Sequence, residues 1–383
     1  MPRTVVALGL VSMLMDVSSE MIHVLLPVFM VSTLGASVAS VGLIEGIAEA
    51  TASISRLFSG VVSDWVRQRK RLVLLGYGLA ALSKPLFPLA HGVGAVLGAR
   101  FLDRIGKGIR EAPRDALIAD VTAPDQRGAA YGLRQALDTV GAFVGPLLAM
   151  ALLLATGDTI RLVFWCAAVP ACAAVALVVF AVREPPRRAD PARGWQAFPL
   201  RRAGLRRLPA AYWRMLGAVA VFMLARFSEA FLVLAARGRG LPVGWVPVVY
   251  VAMNCVYAAA AYPLGALSDR LGRRRLLILG IGVLVVADGV LAVAPSWPVV
   301  LVGAGLWGLH LAATSGLLSA MVADAAPEDL RGSAFGLFNL VQGVMLLLAS
   351  VLAGLLWDVA GAPGTFLAGA ACALAALPAL ARR

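Results

Sequence analysis

Charge is scarce in this sequence. Only 14% of the 383 residues are Asp, Glu, Lys or Arg, against roughly a quarter in a soluble domain, which excludes the water-facing surface of an ordinary globular protein. Cysteine is also scarce. Cys166, Cys172, Cys255 and Cys372 show no C-x-x-C or other metal spacing, so no metal site is expected and they read as small helix- or lipid-facing residues. No nucleophile–base pair or phosphate loop stands out, and neither does a soluble sensor domain. An enzyme, a receptor and a resident cofactor are therefore not expected. The first apolar stretch is not read as a cleaved leader, because Asp16 and Glu20 interrupt it and no convincing small-residue cleavage site follows.

What is abundant is apolar residue, 60% of the chain, with a mean hydropathy of +0.85. It comes in blocks long enough to cross a hydrocarbon layer of ~30 Å as helices. Twelve spans are predicted, at 4–31, 40–63, 72–91, 93–120, 128–155, 160–182, 213–235, 246–268, 276–295, 297–323, 333–356 and 362–381. The fold class is thus an all-α membrane protein of twelve transmembrane helices. The formal charge of +13 is unevenly placed. Basic residues cluster at 67–71, 183–214, 270–275 and 382–383, on alternate loops, while the other loops hold little beyond Arg161, Arg237 and Arg239. That asymmetry is a topology signal, placing both termini in the cytoplasm of a bacterial inner membrane. It leaves no role for nucleic acid.

The chain is internally duplicated. Ile118–Leu133 reads IADVTAPDQRGAAYGL and Val322–Leu337 reads VADAAPEDLRGSAFGL, with eight of sixteen positions identical. Gly60-V-V-S-Asp64 matches Gly265-A-L-S-Asp269, each followed by a similar glycine-containing apolar run, and Ser19-Glu20 matches Ser228-Glu229. Two pseudo-symmetric six-helix bundles are expected, at 1–182 and 213–383, joined by a Pro- and Arg-rich cytoplasmic linker at 183–212. Duplicated membrane proteins of this layout carry their sites near the midplane.

At these residues the sequence resembles the major facilitator superfamily. The loops G-V-V-S-D-W-V-R-Q-R-K-R (60–71) and G-A-L-S-D-R-L-G-R-R-R (265–275) are similar to the family's G-x-x-x-D-R-x-G-R-R signature. The resemblance implies the family fold and gating roles for Gly60, Asp64, Arg71, Gly265, Asp269, Arg270 and Arg273. A plain topology-setting loop is the alternative. Gly132, Gly141, Gly145 and Pro146 in the fifth span resemble the exporter motif of drug-efflux branches, with Ala149-Met150 in place of a final glycine pair. Small residues and a proline also suit a closely packed, bendable helix in any transporter.

Ionisable groups at membrane depth are costly, and each is a functional candidate. Asp16, Glu20 and His23 share one face of the first span, and Glu45, Glu49 and Arg56 one face of the second. The fourth span carries Arg100, Asp103, Arg104, Lys107, Arg110, Glu111, Arg114 and Asp115. Such stripes cannot face lipid, so the three spans should turn them toward one another and a wet cavity. The fifth span adds Asp138. In the second half Arg226, Glu229 and His310 remain, while Ala304 and Leu311 replace Arg100 and Lys107. A static salt-bridge network, with Asp103, Glu111 and Asp115 neutralising Arg104, Arg110 and Arg114, is the competing explanation.

The family resemblance implies more for two stretches. Glu20-Met-Ile-His-Val is similar to the D-M-I-x-P element of twelve-helix drug/proton antiporters, whose acidic residue is implicated in coupling. Arg100-Phe-Leu-Asp103 resembles the R-x-x-Q-G element, whose arginine is linked to proton coupling. The expectation is a secondary active transporter using proton-coupled efflux of a small cation, drug-like compound or metal species. The alternative is transport of an organic anion or metal chelate on Arg100, Arg104, Lys107 and Arg110. The expected partners are the cargo, protons and the lipid bilayer, with the chain a monomer.

Overall fold

The computed structural model describes residues 1–65, 68–184, 207–327 and 330–381, and no strand occurs among them. Apolar composition makes nearly every stretch a helix, since in lipid the backbone must satisfy its own hydrogen bonds. We number the helices in chain order: α1 (Arg3–Thr33), α2 (Val38–Trp65), α3 (Arg69–Ser83), α4 (Val93–Val121), α5 (Arg127–Ala155) and α6 (Ile160–Phe180). Then follow α7 in two pieces (Ala210–Met223 and Ala230–Gly238), α8 (Val248–Leu271), α9 (Arg273–Val293) and α10 (Trp297–Ala325).

The last helix runs from Arg331 to Ala381 and breaks at Gly361, whose φ of 67° and ψ of −173° are open to glycine. We call its parts α11 (331–360) and α12 (362–381). With that division, and the two pieces of α7 taken together, the long helices number twelve among the described residues. Among the described residues eight helices are long and apolar enough to span a bilayer, with α11 and α12 counted as one. The shortfall has local causes: α3 is short, α4 is heavily charged and α7 is interrupted. Large apolar side chains such as Val169, Phe180, Tyr262, Val293 and Val359 stay exposed, as a lipid-facing surface requires.

Two of the predicted spans differ in detail. The span predicted over 213–235 is broken, with no helix over Leu224–Glu229. No proline or glycine marks the place. Instead Ser228 N–H donates to Ser350 Oγ (3.1 Å) and Ala230 N–H to Ser228 Oγ (3.2 Å), so hydroxyls replace the missing helical partners. The predicted gap between spans eleven and twelve shrinks to the single bend at Gly361. Most of the predicted linker, 185–206, lies outside the described residues.

The chain forms two compact units, Met1–Phe29 with Thr51–Phe198, and Met30–Ala50 with Pro199–Arg383. In the first, α1 packs on α5 and α6, and α3 on α4. In the second, the first piece of α7 packs on the Arg331–Ala381 helix, and α9 on α10 and that helix. The start of α2 lies on α11, where Gly42 abuts Ser350, Gly46 abuts Leu347 and Gly354 abuts Ala39.

The duplication is visible at the level of atoms. α4 runs from 93 to 121 and α10 from 297 to 325, an offset of 204 at both ends. Arg69 at the start of α3 pairs with Asp120 at the end of α4 (2.8 Å), and at the same offset Arg273 pairs with Asp324. The A-D identity within the repeated sequence is therefore an ion-pair acceptor retained in both units.

Candidate functional site

In the first unit the acids of α1 meet the bases of α4. Asp16 lies in the electrostatic field of Lys107, Arg110, Arg114 and Asp138, and Glu20 in that of His23, Lys107 and Arg104. His23 Nδ1 stands 3.7 Å from Glu20 Oε2. What brings this face of α1 close to α5 is a pair of glycines. A Cβ at Gly141 would lie 2.6 Å from the Met13 carbonyl oxygen and 3.0 Å from Asp16 Cβ. At Gly145 it would lie 2.8 Å from the Val17 carbonyl oxygen and 2.7 Å from Glu20 Cβ. Only a residue without a side chain lets the two backbones approach this far. Pro146 is buried beside Gly145 inside α5.

Deeper lies a network that the sequence reading only partly anticipated. Asp103 does touch Arg104 (3.7 Å), but its nearer partner is Lys84 (2.8 Å), which also donates to Ser19 Oγ at 2.9 Å. Lys84 and Asp103 are both buried, as are Arg100, Arg104, Arg110 and Arg114. Arg100 acts on Asp103 electrostatically. Arg114 contacts Asp115 (3.0 Å) as expected and donates to Ser12 Oγ (2.7 Å), which bonds the Tyr77 hydroxyl at 2.9 Å. Arg110 lies 4.7 Å over the Tyr77 ring, a cation–π contact. Glu111 pairs across helices with Arg56 on α2, and Arg134 holds Asp138 at 2.6 Å along α5. Arg56, Glu111, Arg114, Asp115 and Arg134 line a cavity of about 270 Å³.

The predicted residues thus fall into distinct places. Asp16, Glu20, His23, Arg100, Asp103, Arg104, Lys107 and Asp138 are brought together in the first unit. Glu45, only 2% exposed, and Glu49 belong to the second unit. There Arg226 and Glu229 lie within the break in α7 and act on one another. His310 is fully buried on α10 and its Nδ1–H donates to the Gly280 carbonyl (2.8 Å).

Of the motif residues, Gly60 approaches Ala112 on α4, and Arg273 has its partner on α10. Arg71 is exposed. A Cβ at Gly132 or Gly265 would meet no atom within 4 Å. The side chains of Asp64, Asp269 and Arg270 lie outside the described residues. Sequence reasoning missed Lys84 and a buried carboxylate on α9, Asp288. Each is a single charge inside a predicted apolar span, and that isolation was the available signal.

A duplicated set of apolar helices with buried, mutually engaged acids and bases defines a multi-pass membrane transporter. The Major Facilitator Superfamily profile matches residues 8–253 and 239–383. An MFS-type transporter of Methanocaldococcus jannaschii is 34% identical over 379 residues, spanning 97% of this chain and 92% of the relative. A Mycobacterium bovis protein is 30% identical, spanning 93% of this chain and 87% of its own. The solved structure of the nucleoside transporter NupG superposes with a TM-score of 0.84 over 99% of each chain, at 13% identity, a likeness of fold. The chain belongs to the major facilitator superfamily. It is a transporter of small molecules and not an enzyme.

Proposed function

We propose that this transporter is a proton-coupled exporter of a small cation, drug-like compound or metal species, working by alternating access. The observation that carries the reading is the contact of Gly141 and Gly145, from the exporter-like motif of α5, with the turns of α1 that bear Asp16 and Glu20. Bending or sliding of α5 against α1 changes the surroundings of both carboxylates. In this reading Glu20 is the primary coupling group, steadied by His23, with Asp16 beside Asp138 and Lys107 next in line. Cargo and proton compete for this acidic face, so loading one expels the other. Within the second unit, Glu49 is a further coupling candidate beside Glu45, and Arg226, Glu229 and His310 are the candidate substrate-contacting residues of that unit. The working form is a monomer in the bacterial inner membrane with both termini in the cytoplasm, and the signature loops act as the gate.

A second reading has its own support. Arg110 Nη1 and Arg114 Nη2 are buried without a hydrogen-bond partner among the described residues, and unsatisfied guanidinium donors suit an anion. Direction and sign of cargo separate the two. An efflux-deficient host expressing the chain should gain resistance to cationic drugs or metals, and Glu20→Gln should abolish that gain at equal expression. Proteoliposomes with an imposed pH gradient should show the same loss. Unchanged transport in Glu20→Gln would remove the coupling role of Glu20, and uptake of organic acids would favour the second reading.

A further inference from the structure

Asp288 stands in the middle of α9, fully buried, and neither carboxylate oxygen has a hydrogen-bond partner among the described residues. The duplication shows how it came to be alone. Counting back 204 residues, Asp288 corresponds to Lys84, and Trp307 corresponds to Asp103. The first unit thus buries an ammonium against a carboxylate, whereas the second has a carboxyl at the position of the ammonium and an indole at the position of the carboxylate. Repulsion or charge excess is not the issue here. The carboxylate simply lacks a counter-ion.

Its surroundings are apolar and tight. A Cβ at Gly369 on α12 would lie 2.8 Å from Asp288 Oδ2 and 2.9 Å from the ring of Phe227, so glycine leaves the room the carboxylate fills. Phe227 belongs to the break in α7 and stacks near Trp307 (5.2 Å) and Phe366 (5.7 Å). The carbonyls of Leu224, Ala225, Arg226 and Phe227 in that break accept no hydrogen bond among the described residues. Unwound backbone of this kind at membrane depth recurs at ion-handling sites.

The titratable neighbours are few. Cys372 on α12 is influenced by Asp288. His310 on α10 is tied to Gly280, two turns away along α9. Arg226 and Glu229 in the α7 break engage one another, and Tyr257 on α8 acts on Arg226. No ammonium or guanidinium among the described residues acts on Asp288. An ionised carboxylate so placed is strongly disfavoured and neutralises instead.

We propose that Asp288 is a proton-binding site of the second unit, carrying its proton in the conformation described here and losing it when movement of α7 or α12 opens the pocket to water. One O–H bond forms with a proton taken from water and breaks in the reverse step. The occupant is a proton rather than a sodium ion, because a single carboxylate faces Phe227 and Gly369 and the acid of the α7 break, Glu229, is engaged by Arg226, which leaves a metal no second anionic ligand. This site goes beyond the coupling assigned to Glu20 and stands independently of it.

The test is infrared spectroscopy of the purified full-length protein, titrated with pH. The expected result is a protonated-carboxyl band at neutral pH that disappears in Asp288→Asn, persists in Glu20→Gln and shifts in Gly369→Ala. A wild-type spectrum with no protonated carboxyl at neutral pH overturns the proposal whatever the variants do. So does a band unchanged in Asp288→Asn, or one abolished by sodium at constant pH. Because Glu20→Gln is measured in parallel, failure at Asp288 leaves the reading of Glu20 untouched, and the reverse also holds.

Discussion

Lys84 and Asp103 show what a buried ion pair demands of its two members. Each is nearly inaccessible, and their contact at 2.8 Å is supplemented by Ser19 on the lysine and by Ser83 and the more distant Arg104 on the carboxylate. Removing one partner strands the other, at a cost of about 3–5 kcal/mol, whereas removing both can be nearly neutral. Lys84→Met or Asp103→Asn alone should therefore lower the thermal midpoint in detergent sharply, and the double variant Lys84→Met/Asp103→Asn should recover most of the loss. Additive losses in the double variant would contradict a mutual pair. At this scale the sequence was half legible. The striping of α4 announced that Arg100, Asp103 and Arg104 were buried and Lys107 turned inward with them, half-buried, but not which partner each would find. Glu111 turns to Arg56 and Arg110 to the Tyr77 ring because neighbouring helices present those groups, and one helix's spacing carries no such information.

Among the helices, α5 separates glycines that matter to packing from those that do not. Gly145→Val would drive a branched side chain into the α1 backbone at Val17 and Glu20, with a cost of about 1–3 kcal/mol for overpacking. Gly132→Ala meets open space and should stay within about 0.5 kcal/mol of wild type. Thermal unfolding of the two variants side by side reads the contrast, and equal destabilisation would sink the close-approach argument. The motif spacing announced all four positions alike. Their difference arises because α1 crosses α5 at Gly141 and Gly145 and not at Gly132. The break in α7 was equally silent in sequence, since its cause is a serine 122 residues away.

For the molecule as a whole, the start of α2 is held within the second unit by three glycine contacts and by Asp358. Its two oxygens accept from Val38 N–H (3.1 Å) and Ala39 N–H (3.2 Å), a capping arrangement at the positive end of a helix. Losing such a cap costs about 0.5–2 kcal/mol. Asp358→Ala should thus raise the local opening of this segment, read as roughly 2–30-fold faster maleimide labelling of a cysteine placed at Ala39. Asp358→Asn, which keeps one acceptor oxygen, should fall between. No change in labelling would show that the glycine contacts alone hold the segment.

Sequence by itself determined the twelve helices, the duplication and the burial of charge on α1 and α4, because length, apolarity and helical spacing are local properties that lipid makes obligatory. Tertiary structure alone decided which charges pair, where α7 unwinds, which glycines touch a neighbour and that Asp288 lacks the counter-ion its duplicate Lys84 possesses. Those outcomes depend on atoms from segments far apart in the chain meeting at a few ångströms.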